Sequence, residues 1–380
     1  MCTVSLVSTT LPPTFEPVQL GFSPGGSERA AHLLQACAES GGLESIILKT
    51  DVKNAFNEIH RSAFMGKLFT KGVLGPIWRL AHWAYSQPSS LFVIDKGTLF
   101  TSLLSCEGVQ QGDGLAGLLF SLGIHDSYLA SLSSVTDVSG VAVMDDFYLE
   151  GPYGGVLQAF DRYSTAESKK VGLSLRSEKC IAFWVHQADP PQPLLDGLKN
   201  RGIRLVRDTL ECLGTVIGLN HAAMSQWAYD RITSPSHLQL FSTLLNPSLP
   251  VQAAMAILRL CAIPRMSYLS RTLKPAIVTK AGAYFDSKVF DTASTKLRLP
   301  SNLTPGARLS LTLPIRLGGF GLRSVVRTSY ASYWSGLAQA APDILSRIRR
   351  LPPPSLPPAS PSSIPPPPPP SASSPPPTIP

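Results

Sequence analysis

Two adjacent carboxylates stand between two short apolar runs in the segment VAVMDDFYLE, residues 141–150. Asp145 and Asp146 would repel each other if both were ionised and buried. One interpretation is a solvent-facing turn, because Asp is common in hairpins. The other is a metal site at a hairpin tip, where a divalent cation relieves the repulsion. Asp51 ends a second apolar run, so similar chemistry is available at two places in the chain.

The chemistry open to such carboxylates is two-metal catalysis. Two Mg²⁺ ions bridged by carboxylates activate an attacking 3′-oxygen and stabilise a leaving pyrophosphate. One or two carboxylates together with substrate phosphates are enough to hold Mg²⁺, so a few aspartates suffice. Aspartates are common at strand ends, and the order of the surrounding motifs is therefore more informative than the aspartates alone.

Short strands are the elements that would position these carboxylates. Residues 46–48 predict a buried strand that ends at Asp51, and residues 141–150 predict a hairpin. The polar turn at Gln111 and Gly112 predicts the opening of a long apolar helix. The pattern further predicts an irregular segment over 1–20, a helix with Ser27 as its N-cap, a helix over 76–86, a strand pair with a turn at 95–97, a helix over 155–171, and mostly helical structure from 221 to 350.

Five segments resemble, in order, the motifs of the reverse transcriptase domain of non-LTR retroelements. They are DVKNAFNEIHR, GVQQGDGLAGLLFSL, VMDD, VGLSLRSEKC and LECLGTVIG. The segment LPIRLGGFGLRS is also similar to sequence found after this domain in some eukaryotic retroelement polymerases. The resemblance is specific from about residue 19 to 218 and thinner to about residue 342.

The resemblance implies an α+β fold. We expect a right-hand polymerase palm, made of a small antiparallel sheet backed by helices, followed by a mostly helical thumb-like region. The implied organisation is an irregular leader over 1–19, a palm with incomplete fingers over 20–219, a basic and mostly helical thumb-like region over 220–350, and a proline-rich tail over 351–380.

The implied function is template-directed DNA synthesis, the reaction of an RNA-directed DNA polymerase. Its partners would be an RNA or DNA template with a primer, and dNTPs. Asp51, Asp145 and Asp146 would be the catalytic residues and would hold two Mg²⁺ or Mn²⁺ ions. The alternative is a degenerate remnant that keeps the palm fold and binds nucleic acid without catalysis. The N-terminus lacks the pattern of a signal peptide, which favours an intracellular protein, and a retroelement product could act in the nucleus.

Four further residues match positions that contact substrate in this family. Phe56, five residues after Asp51, would exclude a 2′-hydroxyl and so favour dNTPs. It is also a typical core aromatic at the start of a helix. Gln111 and Gly112 would cradle the template and the incoming nucleotide, although Gln111 could instead satisfy free amides at a helix start. Lys179 would lie near the triphosphate, or would be a surface lysine after a turn.

The sequence departs from the family pattern in two ways. Gly114 and Gly117 stand where related sequences commonly have proline, which loosens the turn without removing a catalytic group. Only 50 residues precede Asp51, and few of them resemble the fingers that grip the triphosphate. We therefore expect a fragment that extends a primer poorly. The tryptophan-rich segment over 78–85 favours core packing over a base-stacking platform.

The charge is divided unevenly along the chain. Residues 1–200 carry 14 Lys and Arg against 19 Asp and Glu, whereas residues 201–350 carry 19 against 6. A basic half of this kind indicates a polyanion-binding surface or, alternatively, a solvated face without function. The basic residues expected to follow a nucleic-acid backbone are Arg259, Arg265, Arg271 and Lys274.

The remaining features limit the class of protein. The six cysteines are scattered, which favours reduced and buried thiols over a zinc ribbon or a disulfide framework. No apolar run approaches the roughly 20 residues that span a bilayer, so no membrane partner is expected. The tail over 351–380 lacks charge and is dominated by proline, which predicts an extended polyproline II segment. It would bind an SH3-type or WW-type module, or serve as a passive tail.

Overall fold

The computed structural model describes residues 11–133, 135–300 and 302–348. The proline-rich tail, and with it the expected SH3-type or WW-type partner, lies outside the described residues. The strands are β1 (Ser45–Lys49), β2 (Ser89–Asp95), β3 (Thr98–Ser105), β4 (Ser139–Val143), β5 (Asp146–Pro152), β6 (Ile181–Trp184), β7 (Arg204–Val206), β8 (Thr209–Cys212) and β9 (Thr215–Gly218).

The α-helices occur between these strands and dominate after them. They are α1 (Leu11–Phe15), α2 (Gly26–Ser40), α3 (Ala55–Glu58), α4 (Arg61–Thr70), α5 (Gly75–Tyr85), α6 (Ala116–Leu132), α7 (Tyr153–Arg162), α8 (Ser168–Lys170), α9 (Gln192–Arg201), α10 (His221–Ile232), α11 (Pro235–Leu244), α12 (Val251–Ile257), α13 (Ser267–Thr272), α14 (Pro275–Leu297), α15 (Pro305–Thr312) and α16 (Val325–Ile348). Short 3-10 and π turns join several of them. The described part of the chain contains no helix that is long and apolar enough to cross a membrane.

A five-stranded sheet in the order β4-β5-β1-β6-β7 forms the centre of the first 200 residues. Its first four strands pair antiparallel, as expected, whereas β7 joins β6 in parallel at the edge. The α+β class is therefore confirmed, and the expected purely antiparallel sheet is corrected at this edge. The helix α9 lies between β6 and β7 in sequence, and a connection of this kind returns the chain to the same end of the sheet.

The sheet is buried on both faces, which explains why its strands are continuous apolar runs. Ile46 and Leu48 of β1 point to a core that also contains Phe120, whereas Ile47 between them points to a core that contains Leu34 of α2. Successive side chains of a strand alternate between faces, so both faces need apolar residues here. The sequences of these strands consequently do not alternate between apolar and polar residues.

The helices after residue 220 surround a separate core centred on α14. The last described helix, α16, extends beyond this core and packs along α2 of the first half. There Arg29 forms a double hydrogen bond with Asp343, at 2.7 Å and 2.8 Å. The helix thus connects the two halves of the described chain.

Several local expectations are wrong. Residues 11–15 form a helix within the segment expected to be irregular. The helix α2 begins at Gly26, after Gly25 with φ 64°, and Ser27 is not its N-cap. Trp83, which was assigned to the core, is 81% exposed. Cys106 and Cys261 are exposed, although Cys180 and Cys212 are buried as predicted.

The β2–β3 hairpin is unusual because its apolar side chains face solvent. Phe92, Ile94, Phe100 and Leu104 are each more than 60% exposed. No charged residue stands in its strands or turn other than Asp95 and Lys96. A contiguous exposed apolar surface of this kind is uncommon on a soluble monomer.

Candidate active site

The three predicted catalytic aspartates meet at one end of the sheet. Lys49 of β1 lies opposite Tyr148 of β5, and the Thr50 N–H continues the ladder by donating to the Phe147 carbonyl at 2.9 Å. The same register places Asp51 opposite Asp146, and residues opposite one another in an antiparallel pair share a face. Asp145 lies in the two-residue turn between β4 and β5.

Burial and mutual repulsion make ionisation of the aspartate pair unfavourable. Burial raises the pKa of Asp145, and the nearby Asp146 and Asp51 raise it further. Burial also raises the pKa of Asp146, while Lys49, 4.0 Å away, opposes the shift. Paired carboxylates with raised pKa values are typical of sites that bind a cation or move a proton.

Asp51 has a basic partner that sequence reasoning missed. The Nε atom of Arg176 donates to Oδ2 of Asp51 at 2.8 Å, and the backbone N–H of Arg176 donates to the Asp51 carbonyl. Lys179, the residue expected near the triphosphate, is exposed and forms no ion pair among the described residues. The available signal was position, since Arg176 stands in the same VGLSLRSEKC segment as Lys179.

By type, the three carboxylates fit a divalent cation, because Mg²⁺ prefers oxygen ligands. Among the residues that the structure describes, however, no three His, Cys, Asp or Glu side chains form a group that could hold a metal ion. Lys49 and Arg176 each lie beside one of the aspartates instead. The aspartates are thus gathered at one place, but in this conformation they do not form a coordination set.

Phe56 lies close to this end of the sheet, on the short helix α3. Its ring stacks on Phe120 of α6, with centroids 4.4 Å apart and planes 14° apart. The side chain is half-buried and packs against the core. The ring therefore packs against the core, as one of the two interpretations holds, and exclusion of a 2′-hydroxyl stays a prediction.

Gln111 and Gly112 lie in an exposed turn before α6 rather than at the start of that helix. The helix begins at Ala116. Gly112 has φ 92°, a conformation that favours glycine. The free amide near the helix start is satisfied by Asp113, which accepts from the Leu115 N–H at 3.0 Å and from the Tyr85 hydroxyl. Gln111 therefore remains available to a ligand.

The turn that carries Asp145 is held by Gln19, a residue that no sequence pattern indicated. Met144, the first residue of the turn, has φ 57°. The Gln19 side-chain amide donates to the Met144 carbonyl and accepts from the Met144 N–H, both at 2.9 Å. Gln19 is fully buried, and its backbone bridges β4 at Ala142.

A cleft of about 540 Å³ extends from this end of the sheet along the β8–β9 hairpin. Lys49 and Asp146 line one part of it, and Glu211 and Trp227 line another. Glu211 and Trp227 also line a second cavity of about 400 Å³ that reaches Arg231. The cleft is open and lined by both charged and aromatic groups, which suits an extended polar ligand.

The four predicted nucleic-acid contacts differ in their environments. Arg271 pairs with Glu28 at 2.6 Å and Lys274 with Glu39 at 2.7 Å, so both cations are engaged with α2. Arg265 is exposed and donates to the Ser236 carbonyl at 3.3 Å. Arg259 is half-buried and, like Arg265, forms no ion pair among the described residues.

Comparison with known proteins agrees with the motif resemblance. No protein-family model matches the chain. The retrotransposable element SLACS 132 kDa protein of Trypanosoma brucei gambiense is 24% identical over 339 residues, which cover 88% of this chain and 27% of that protein. The match to a retrotransposable-element protein agrees with the retroelement resemblance of the five motifs. The chain spans about a quarter of the length of that relative.

Solved structures with similarity to this chain include two telomerases. Telomerase of Candida albicans, in complex with a fragment of telomeric RNA, has a TM-score of 0.41 and 13% identity, covering 91% of this chain and 57% of that one. Apo telomerase of Candida tropicalis has a TM-score of 0.45 and 12% identity, covering 92% and 58%.

Proposed function

We propose that the chain carries out template-directed DNA synthesis as an RNA-directed DNA polymerase, extending a primer with dNTPs on an RNA or DNA template. The observation that carries the proposal is the meeting of Asp51, Asp145 and Asp146 at one end of the sheet, although 94 residues separate the first two. The sequence similarity to a retrotransposable-element protein supports the same reaction class.

In this proposal Asp51, Asp145 and Asp146 would hold two Mg²⁺ or Mn²⁺ ions, and such ions would supply activation of the primer 3′-oxygen and stabilisation of the leaving pyrophosphate. Gln111 and Gly112 contact the templating and incoming nucleotides. Phe56 lies under the sugar, where its ring leaves no room for a 2′-hydroxyl. The cleft between Asp146 and Trp227 takes the primer end.

The basic side chains near the aspartates exchange partners in the proposed cycle. Arg176 and Lys49 neutralise Asp51 and Asp146 when substrate is absent. Binding of the triphosphate with its cations offers phosphate oxygens to the same side chains. Arg176, together with Lys179, then orients the triphosphate, which is the role that positive groups have in phosphoryl transfer.

The palm and thumb assignments are part of this proposal. The sheet and its helices, residues 20–219, form the palm with incomplete fingers, and the helices of 220–350 form the thumb-like region. The excess of Arg and Lys after residue 200 supports a nucleic-acid track along that region. Within the track, Arg259 and Arg265 are free to contact phosphates directly.

A second candidate is a palm that binds nucleic acid without catalysis. Two observations favour it: Asp51 is engaged by Arg176, and no group of three ligands capable of holding a metal occurs among the described residues. The two candidates differ in metal binding. A polymerase binds Mn²⁺ through Asp145, whereas a non-catalytic palm does not.

Metal binding and primer extension decide between the candidates. We expect Mn²⁺ binding, followed by electron paramagnetic resonance, to be lost in Asp145→Ala. Extension of a labelled primer with dNTPs on RNA and DNA templates, which we expect to be weak for this chain, should be abolished in Asp145→Ala. Nucleic-acid binding without Mn²⁺ binding by the unaltered chain would instead support the second candidate. Extension that persists in Asp145→Ala would contradict the assignment of the aspartates.

A further inference from the structure

The turn between β4 and β5 adopts a conformation that its sequence disfavours. Met144 has φ 57°, whereas the first position of such a two-residue hairpin turn normally carries glycine. A non-glycine residue in the left-handed region is strained and persists only when its surroundings impose it. Asp145 follows directly in the chain, so the conformation of Met144 determines where that carboxylate points.

The polar contacts of the Met144 backbone come from two side chains of other elements. Gln19 contacts both its N–H and its carbonyl, each at 2.9 Å, and the Tyr128 hydroxyl also donates to the carbonyl at 3.0 Å. The Gln19 Oε1 atom additionally accepts from the Gly21 N–H at 2.9 Å. The amide of one buried glutamine therefore pairs with the turn as a neighbouring strand would.

The Met144 side chain, which is half-buried, also has close neighbours. Its sulfur lies 3.4 Å from the Ser121 hydroxyl. Glycines stand on two sides: a Cβ atom on Gly21 would approach the Met144 methyl to 3.0 Å, and one on Gly117 to 3.4 Å. Gly117 is one of the positions where related sequences commonly have proline, and here it leaves space for the methionine.

We propose that Gln19 is a positioning residue of the active site, which holds the Met144 turn in its left-handed form and thereby aims Asp145 and Asp146 at Asp51. This inference rests on the proposed function, because it assigns to Gln19 a part in assembling the metal site. An ordinary buried glutamine would contribute to stability alone. Gln19 differs because both backbone groups that it satisfies belong to the strained residue beside the carboxylate.

The chain offers a matched control in Gln35 of α2. Its side-chain amide also contacts both backbone groups of one residue, donating to the Gly218 carbonyl at 2.9 Å and accepting from the Gly218 N–H at 3.0 Å. Gly218 lies at the end of β9 and is not adjacent in sequence to any of the three predicted catalytic aspartates. Gln35→Leu therefore removes the same number of hydrogen bonds without touching the turn.

The first measurement is amide hydrogen exchange, which needs neither metal nor activity. In Gln19→Leu we expect exchange of the Met144 amide to accelerate at least about tenfold, because its acceptor is removed. Gln35→Leu should leave that amide unchanged. Gln19→Glu, which keeps the acceptor oxygen but cannot donate to the Met144 carbonyl, provides a second variant if Gln19→Leu folds poorly.

The second measurement is Mn²⁺ affinity. We expect Gln19→Leu to weaken it about tenfold, equivalent to about 1.4 kcal/mol, while Gln35→Leu does not. Adding Met144→Gly to Gln19→Leu should restore most of the affinity, since glycine adopts positive φ without steric cost.

The outcomes separate the two proposals. Absence of Asp145-dependent Mn²⁺ binding in the unaltered chain would remove the metal site and, with it, the role of Gln19 in aiming the carboxylates. If the unaltered chain binds Mn²⁺, a Met144 amide that stays protected in Gln19→Leu overturns the positioning role alone. The same holds for an equal loss of affinity in Gln35→Leu, or for a loss that Met144→Gly does not reverse.

Discussion

Asp145 and Asp146 are held where their ionisation opposes folding. Burial raises the pKa of both, so each binds a proton more readily in the folded than in the unfolded chain. The resulting loss in the free energy of unfolding is absent below the unfolded-state pKa of about 3.9. It grows as the pH rises through the folded-state pKa and is complete above it. Placement of this kind is common at functional sites, where stability is given up for reactivity.

Asp145→Asn should therefore stabilise the chain at pH 7 in the absence of divalent cations. Thermal unfolding should show a melting temperature a few degrees higher than that of the unaltered chain, and the difference should shrink as the pH falls toward 4. Asp137→Asn, at an exposed position just before β4, is the control and should change nothing. A destabilised Asp145→Asn chain at pH 7 would show that the carboxylate contributes favourable contacts that outweigh its burial.

The sugar selectivity proposed for Phe56 depends on a second ring. Phe120 stacks on it at 4.4 Å, so α6 fixes the plane of the ring. We expect Phe56→Ala to raise incorporation of ribonucleotides relative to deoxyribonucleotides by about tenfold or more, and Phe120→Ala to raise it by less. The measurement is single-nucleotide primer extension with each substrate, with Asp145→Ala as the blank. Unchanged selectivity in Phe56→Ala would refute the assignment.

At the scale of elements, α16 contacts the hairpin that carries the aspartates, at the end of its strands opposite the turn. The Arg347 guanidinium donates to the Ser139 hydroxyl at 2.6 Å and to the Gly140 carbonyl at 2.8 Å, and lies 3.6 Å from Glu150. These residues belong to β4 and β5, so the last described helix of the basic half stabilises the strands of the first half.

Arg347→Ala should consequently destabilise the hairpin together with the whole fold. Loss of the arginine leaves the Glu150 carboxylate and the Gly140 carbonyl without these partners, which costs roughly 1–3 kcal/mol in the free energy of unfolding. Chemical denaturation measures the loss, and hydrogen exchange should accelerate in β4 and β5. Arg79→Ala, at an exposed position of α5, is the control. If the two substitutions lowered the free energy of unfolding equally, the contacts of Arg347 with β4 and β5 would contribute nothing specific to stability.

At the scale of the whole molecule, the meeting of the three aspartates could be predicted from the sequence, because they lie within continuous motifs. Asp51 and the Asp145–Asp146 pair follow apolar runs, and runs of that kind become strands whose ends meet in one sheet. Gln19 and Arg176 were not predicted, because each acts on a residue 125 positions away. No local pattern indicates such a pairing, and only the folded sheet brings the partners together.

The same reasoning explains which parts of the fold were missed. The parallel strand β7 has three residues and no distinct pattern, so its place depends on α9 and on the free edge of β6. The exposure of Trp83 and of the β2–β3 hairpin contradicts the usual association of apolar residues with the core. Burial of a given apolar residue depends on how the elements pack, which composition does not reveal.

The distribution of charge over the molecule gives a further prediction, because only some of the basic residues are free. Arg271 and Lys274 pair with Glu28 and Glu39 of α2, whereas Arg259 and Arg265 form no ion pair among the described residues. Removing a side chain that binds a phosphate should reduce the slope of log affinity against log salt by about one. Arg259→Gln with Arg265→Gln should therefore lower that slope while stability stays unchanged.

The double substitution Arg271→Gln with Lys274→Gln is the control. It should lower the stability of the fold more than it weakens nucleic-acid binding. Breaking the half-buried pair with Glu28 should lower the free energy of unfolding by on the order of 1 kcal/mol, with little change in the salt slope. Fluorescence anisotropy of a labelled primer–template duplex between low and high salt, together with denaturation curves, measures both quantities.

If all four side chains lowered the slope equally, the ion pairs of Arg271 and Lys274 with α2 would have to open when nucleic acid binds. If the unaltered chain bound no duplex, the basic half would be a solvated face, as the alternative interpretation of its composition holds.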